Sequence, residues 1–260
     1  MHISSAHAID AERPRSAVSL LFAPGERPSA EAVSILARNH AGFAVSHDPQ
    51  ASDTSPPGDC GRWLELLTGG LTFDLVGLSG GPPAEPPPQG HSFGLQAGLD
   101  GARLEAITLQ PGPHLASGGA MLPVVRSLAS LAARLSSLPG VVAVAWHPAR
   151  CWSAPERFRD SVLRWIGGGT FPAFSLAALA PAQDGALQSE GLALFTGQEL
   201  RIEPGLADSR AGAGKIGLRL LHWLFEHGPL TEEIQVAAPD GSPVRLEPSA
   251  NGTLVRASSG

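Results

Sequence analysis

Reactive side chains cluster at one point of the sequence, a short polar stretch between an apolar run and an amphipathic pattern. His147 and Cys151 lie four residues apart there, and Trp152 follows directly. A thiol just before a helix N-terminus gains acidity from the unpaired N–H groups of the helix, and a nearby imidazole can act as its base. This spacing indicates a thiol-dependent hydrolase or transferase, with Cys151 as nucleophile and His147 as base.

A structural interpretation competes with the catalytic one. No Asn or Asp marks itself as the third group that would orient the imidazole, and a buried cysteine behaves as a small hydrophobe. His47 and Cys60 would complete an N2S2 zinc set with His147 and Cys151, but none of these residues shows the close pairing of structural zinc ligands. We therefore expect neither a metal nor a cofactor.

The elements that would position these residues are well marked. Val141–Trp146 is continuously apolar, which is typical of a strand covered on both faces. The four residues from Ser153 to Glu156 have the form of a capping box, so a helix is predicted over residues 154–166. The sequence thus predicts a strand, a tight corner and a helix.

The remaining patterns predict an α/β fold of two helix-covered mixed β-sheets, with ferredoxin-like lobes as one candidate arrangement. The clearest helical periodicity covers residues 121–138. We predict a flexible N-terminal arm over residues 1–15 and an N-terminal lobe over residues 16–103. That lobe includes a Pro-rich loop at residues 80–90, read as a loop or hinge, and residues 104–260 form the C-terminal lobe.

Shorter segments are assigned from local pattern alone. Residues 62–67 are assigned one helical turn, and residues 171–179 and 192–202 are strand candidates. The last helix is predicted over residues 215–227, and the pattern of residues 233–257 predicts terminal strands with a hairpin.

A glycine-rich stretch offers a second kind of site. Gly212, Gly214 and Gly217 match the spacing GxGxxG, and Lys215 lies among them, which indicates anion binding at a helix start. The context argues for a different role, because no strand leads into the first glycine and too little chain follows for a dinucleotide fold. The alternative is a flexible entry that lets the last helix pack closely.

Composition excludes several classes of function. The net charge is −6 without a basic block, so nucleic acid is not expected as a partner. Two cysteines cannot build a disulfide framework, and the N-terminus lacks the apolar run of a secretory signal, so we expect a cytoplasmic protein. The charge-free residues 165–183 are interrupted by glycines and prolines, so no membrane span or membrane partner is predicted.

Residues 191–202, followed by a helix and the turn HGPL, resemble a bacterial family catalogued as domain of unknown function 4261. The resemblance covers about residues 170–250. The positions that match its pattern are Gly191, Leu192, Phe195, Glu199, Leu200 and Ile202. Thr196 and Arg201 depart from it. The resemblance implies a bacterial, soluble α/β protein and singles out Glu199 as a further candidate catalytic residue, although a lone carboxylate is more commonly solvated or paired with Arg.

Together these observations favour a non-enzymatic interaction or accessory module with a protein partner. No paired carboxylates, catalytic triad, metal set or nucleotide motif withstands comparison with its surrounding sequence. The alternative is the enzyme that uses Cys151 and His147. Exposed apolar residues where the two lobes join would support the first hypothesis, and a deep polar pocket would favour the second.

Overall fold

The structure is a computed structural model, and it describes residues 16–39, 42–49, 62–96, 99–207 and 209–260. The N-terminal arm predicted at residues 1–15 lies outside the described residues. The strands are β1 Val18–Phe22, β2 Ala44–His47, β3 Trp63–Thr68, β4 Leu71–Val76, β5 His91–Phe93, β6 Glu105–Pro111, β7 Val141–Trp146, β8 Cys151–Ser153, β9 Ala178–Pro181, β10 Leu187–Glu190, β11 Glu199–Ile202, β12 Ile234–Ala237, β13 Pro243–Pro248 and β14 Leu254–Ser259. The helices are α1 Ala30–Asn39, α2 Leu122–Leu135, α3 Pro155–Ile166, α4 Ala173–Leu176, α5 Ala193–Thr196 and α6 Arg210–His227.

The strands form two mixed sheets, which confirms the predicted α/β class. The larger sheet has eight strands in the order β2-β3-β4-β6-β1-β7-β8-β5, and only β5 and β8 pair in parallel. The smaller sheet has six strands in the order β12-β13-β14-β11-β10-β9, with one parallel pair, β11 and β14. Both sheets contain more strands than a ferredoxin-like βαββαβ unit supplies.

The division between the sheets does not follow the lobe boundary predicted after residue 103. Strands β6, β7 and β8 follow that boundary in the chain, yet they join β1 in the larger sheet. The change of sheet comes between β8 and β9. One continuous core of buried side chains extends from Val18 in β1 to Val255 in β14, and helix α4 contacts strands of both sheets.

The Pro-rich segment at residues 80–90 connects strands of the same sheet, because β4 before it and β5 after it both belong to the larger sheet. It is a loop, as predicted, but it lies against the second face of the larger sheet instead of linking two bodies. Ala84 exchanges two backbone hydrogen bonds with Ala106 in β6. The segment covers a small second core of the residues Leu21, Ala106, Ala143, Ala145 and Trp152. Strand β7 is therefore covered on both faces, as its continuous apolar pattern predicts.

Two local predictions are wrong, each for a physical reason. Residues 63–68 form strand β3, because Leu64 and Leu66 alternate with more exposed neighbours at a period of two. Ser153 is a buried residue of β8, and α3 begins at Pro155 after Ala154 with no side-chain cap. The predicted capping box does not form, because Ser153, its first residue, is part of strand β8.

Two further segments differ in part. The strand candidate at residues 171–179 holds helix α4 before β9, and the candidate at residues 192–202 holds helix α5 before β11. The terminal strands are present as β12, β13 and β14. Among the described residues, no helix is long and apolar enough to cross a membrane.

Helix α6 begins five residues earlier than predicted, at Arg210, and packs against the smaller sheet. Ser209 caps it by accepting a hydrogen bond from the Gly212 backbone N–H at 3.1 Å. A Cβ atom at Gly217 would lie 2.6 Å from Cδ1 of Ile202 and 2.7 Å from Cδ1 of Leu179. The glycine at this position therefore permits the close approach of helix and sheet, in agreement with the packing interpretation of the glycine-rich stretch.

Replacing Gly217 tests this packing, and Gly214 in the same helix provides a matched control. We expect Gly217→Val to lower the free energy of unfolding by about 1–3 kcal/mol, because two core side chains must move. Gly214→Val should be nearly neutral, since no described atom beyond the neighbouring helix backbone lies within 4 Å of an added Cβ and valine and glycine have similar helix propensities. Urea denaturation of both variants measures the difference, and equal losses would contradict the close approach.

Candidate functional site

The polar corner after β7 is a tight hairpin that returns the chain as β8. His147, Pro148 and Ala149 form one 3-10 turn, and Arg150 closes it with a left-handed backbone at φ 45°. The Arg150 backbone N–H donates to the His147 carbonyl at 3.0 Å. Strand β8 then pairs antiparallel with β7, so the sequence passes through an additional strand before helix α3.

His147 is held on the second face of the larger sheet. Its Nε2 atom lies 2.8 Å from the Oγ atom of Ser19, which shares a second hydrogen bond of 2.8 Å with Thr108. Burial lowers the pKa of His147 to about 4, so the imidazole is neutral at physiological pH. Since Ser19 is fully buried, the pair joins the corner to β1 and offers no accessible hydroxyl nucleophile.

Cys151 lies on the opposite face, in the main core, and is 2% exposed. Its thiol donates to the Phe174 carbonyl, with 3.3 Å between Sγ and the oxygen. Burial raises the pKa of the thiol to about 11. The sheet thus separates the predicted nucleophile from the predicted base, and the thiol is protonated at neutral pH. The arrangement favours packing, and the catalytic use of Cys151 and His147 stays a prediction that would require this corner to open.

The Glu199 carboxylate fixes the backbone conformation of the loop between β10 and α5. Its Oε1 atom accepts hydrogen bonds from the backbone N–H groups of Gly191 at 2.9 Å and Ala193 at 3.1 Å. Its Oε2 atom accepts from the Leu192 N–H at 3.3 Å and from the Ser189 hydroxyl. Both carboxylate oxygens are therefore engaged, which accounts physically for an acidic residue here. A catalytic role for Glu199 stays a prediction.

The loop at residues 191–193, which Glu199 holds, contacts the turn at residues 147–150. Gly191 has φ +92°, and a Cβ atom there would lie 2.7 Å from the Cβ atom of Ala149. Beside this contact, Glu190 accepts hydrogen bonds from Arg150 and from His91 of β5. The distances are 2.5 Å and 2.9 Å from the Arg150 Nε and Nη2 atoms and 2.7 Å from the His91 Nε2 atom. Burial opposes ionisation of Glu190, but these bonds hold its pKa below the usual value.

The glycine-rich candidate site lacks the loop that an anion cradle requires. Gly212, Gly214, Lys215 and Gly217 all lie inside α6, and the Gly212 N–H is already bonded to Ser209. Lys215 is exposed. Anion binding there stays a prediction, while the structure gives Gly217 a packing role. Among the described residues, no group of three or more His, Cys, Asp or Glu side chains could hold a metal ion.

An aromatic pair with one exposed ring lies where the two sheets meet, and the sequence reasoning missed it. Phe174 of α4 is 52% exposed and stacks on Phe93 of β5, with ring centroids 5.4 Å apart and planes 22° apart. Helix α4 contacts both β8 and β9, so the pair lies between the two sheets. The signal was hidden because Phe174 belongs to a long apolar run in which pattern does not show which residue faces solvent.

Three of the surface cavities among the described residues are lined by other side chains. The one with about 420 Å³ lies between the Pro-rich segment and Trp152, and Glu85 is the only titratable residue among the described ones that line it. The other two, of about 240 Å³ and 280 Å³, adjoin α6. None of the three includes His147, Cys151 or Glu199. Comparison with protein-family models, curated proteins and solved structures finds no match, so the family resemblance also stays a prediction.

Titration of His147 should be visible in the stability of the protein. Below about pH 6.5 the unfolded chain protonates this imidazole, whereas the folded protein does so only near pH 4. The free energy of unfolding is therefore highest at neutral pH, where both states hold a neutral imidazole, and it falls as the pH falls from about 6.5 to about 4. We expect His147 to account for a loss of about 2 kcal/mol in the free energy of unfolding between pH 7 and pH 5.

Urea denaturation of the wild type and of His147→Gln at both pH values measures this loss. Glutamine does not titrate, and all other ionisable groups are common to the two proteins. The pH dependence of the variant should therefore be shallower. Parallel pH profiles would show that His147 is not held neutral by burial.

Alkylation of Cys151 distinguishes a buried thiol from a reactive one. In a Cys60→Ser background Cys151 is the only thiol. We expect iodoacetamide at neutral pH to modify it at least about a hundredfold more slowly in the folded protein than in urea, because the folded thiol is both inaccessible and less ionised. Mass spectrometry of timed samples measures both rates. Faster reaction in the folded protein would instead support the thiol-dependent enzyme.

Proposed function

We propose that this protein is a non-enzymatic binding module that recognises another protein at the junction of its two sheets. The observation that carries the proposal is the exposed ring of Phe174, which stacks on the partly buried ring of Phe93. Aromatic side chains dominate the energetics of protein interfaces when a partner covers them. The larger sheet ends at β5 directly beside this pair, so the aromatic surface adjoins a sheet edge.

The contacts beneath the pair support this role, because they hold it in place. The Phe174 carbonyl accepts a hydrogen bond from the Cys151 thiol, and the Ser175 hydroxyl lies 2.9 Å from the Ser161 hydroxyl in α3. Helix α4 therefore presents Phe174 from a fixed backbone. A pre-organised aromatic group loses little conformational entropy when it is bound.

Replacing Phe174 tests the proposal, with Ile35 as the matched control. Ile35 is also an exposed apolar residue, at 43%, but it lies on α1, which contacts β2 at the opposite edge of the larger sheet. We expect Phe174→Ser to reduce partner capture more than tenfold, since burial of a phenylalanine side chain is worth about 1.5–3 kcal/mol. Ile35→Ser should leave capture unchanged.

The measurement is quantitative mass spectrometry of proteins retained from a native lysate of the source organism by each tagged variant. Thermal denaturation confirms that both variants are folded. Retention of the same partners at the same levels by wild type and Phe174→Ser, or no stable partner with wild type, would contradict the proposal.

A further inference from the structure

Strand β5 has one residue whose backbone groups face away from the sheet. The His91 N–H donates to the Arg150 carbonyl at 3.0 Å, and the Phe93 carbonyl accepts from the Ala154 N–H at 2.9 Å. In a parallel ladder the bonding residues alternate, so the N–H and C=O of Ser92 point to the opposite side. Ser92 is exposed, and β5 ends the strand order. An extended chain placed along this edge can form hydrogen bonds with Ser92.

The aromatic pair lies beside this open backbone. Phe93 follows Ser92, and its ring is on the same face of the sheet as Phe174. Side chains of an added strand alternate between the two faces. One side chain of such a strand would therefore lie over Phe93 and Phe174 while its backbone pairs with Ser92. An apolar side chain suits that position, because both rings present apolar surface.

The charges around the edge define the chemistry further. Arg157 packs its side chain against Gly94, so close that a Cβ atom there would lie 2.9 Å from the Arg157 Cγ atom. Its guanidinium forms no ion pair with any described residue, whereas Arg150, which lies beside Gly90 at the other end of β5, is neutralised by Glu190. The uncompensated positive charge favours an acidic side chain on the added strand and disfavours a basic one.

The segment before β5 limits how far pairing can extend. Pro86, Pro87 and Pro88 have no N–H to donate, and β5 has only three residues. Pairing is therefore confined to Ser92 and its immediate neighbours. Such an edge does not favour indiscriminate aggregation, and most of the selectivity must come from the side-chain contacts.

We propose that the partner binds as an extended segment that adds to the edge of β5, with an apolar side chain on Phe174 and Phe93 and an acidic side chain near Arg157. This inference rests on the proposed function and specifies its partner. The mode is strand addition, in which backbone hydrogen bonds orient the segment and side chains select it.

The test uses a displayed library of random ten-residue peptides, selected on the full-length protein. We expect enrichment of peptides that combine an apolar residue with Asp or Glu. The synthetic peptides are then titrated against the wild type and four variants. Phe174→Ser should weaken binding at least tenfold, Ser92→Pro at least about fivefold because a backbone donor is lost, and Arg157→Glu about three- to tenfold. Ile35→Ser should have no effect.

Two controls protect the interpretation of Ser92→Pro. Ser92→Ala keeps the backbone donor and should bind like the wild type, and thermal denaturation checks that the proline variant is folded. Independently of that variant, methylation of single backbone nitrogens along the peptide should weaken binding at the one residue whose N–H donates to the Ser92 carbonyl and leave the other positions nearly unaffected.

The outcomes separate this inference from the proposed function. Peptide binding that needs Phe174 but is insensitive to Ser92→Pro and to backbone methylation would overturn strand addition and leave the binding surface intact. No enrichment of apolar and acidic peptides would also overturn the inference, while the lysate experiment decides the function independently. If the wild type self-associates and Phe174→Ser abolishes this, a second copy of the chain occupies the surface. That result would overturn the proposal of an extended partner segment.

Discussion

Arg150 holds a left-handed backbone conformation, and the geometry of the junction between the sheets depends on it. This conformation costs a residue other than glycine about 1–2 kcal/mol. It reverses the chain within a single turn, so that β8 can pair with β7 on one side and β5 on the other. The Arg150 side chain then bonds to Glu190 of the smaller sheet, and this charged contact offsets part of the backbone cost. The same few residues therefore close one sheet and attach it to the next.

The polar residues near this turn show why reactive side chains are a weak guide to chemistry. His147, Cys151 and Glu199 each have defined partners, namely a buried hydroxyl, a backbone carbonyl and a set of backbone N–H groups. Partners of this kind satisfy buried polar groups and stabilise the fold. A catalytic group must in addition reach a substrate. Phe174 does reach solvent at the junction, but its ring carries no nucleophilic or acid–base group.

Regular periodicity was the part of the fold that could be predicted. Strand β7 and helix α2 have long apolar patterns, and both are present close to their predicted bounds. Prediction failed where one pattern permits two outcomes. Ser153 fits a helix cap by composition, but its place in β8 depends on the reversal at Arg150, which no neighbouring residue signals. The corner could be located from the sequence, whereas the opposite orientation of its imidazole and thiol follows from sheet pairing that only the fold determines.

The continuous core between the two sheets also constrains how the gene can be divided. The aromatic rings of Trp165, Phe171, Phe195 and Phe225 contact one another, and they come both from the segment that connects β8 to β9 and from α5 and α6 beyond it. A fragment that ended there would leave half of this cluster in water. The two sheets consequently form a single folding unit. Recombination within the chain would be tolerated at the hairpin turns rather than between the sheets.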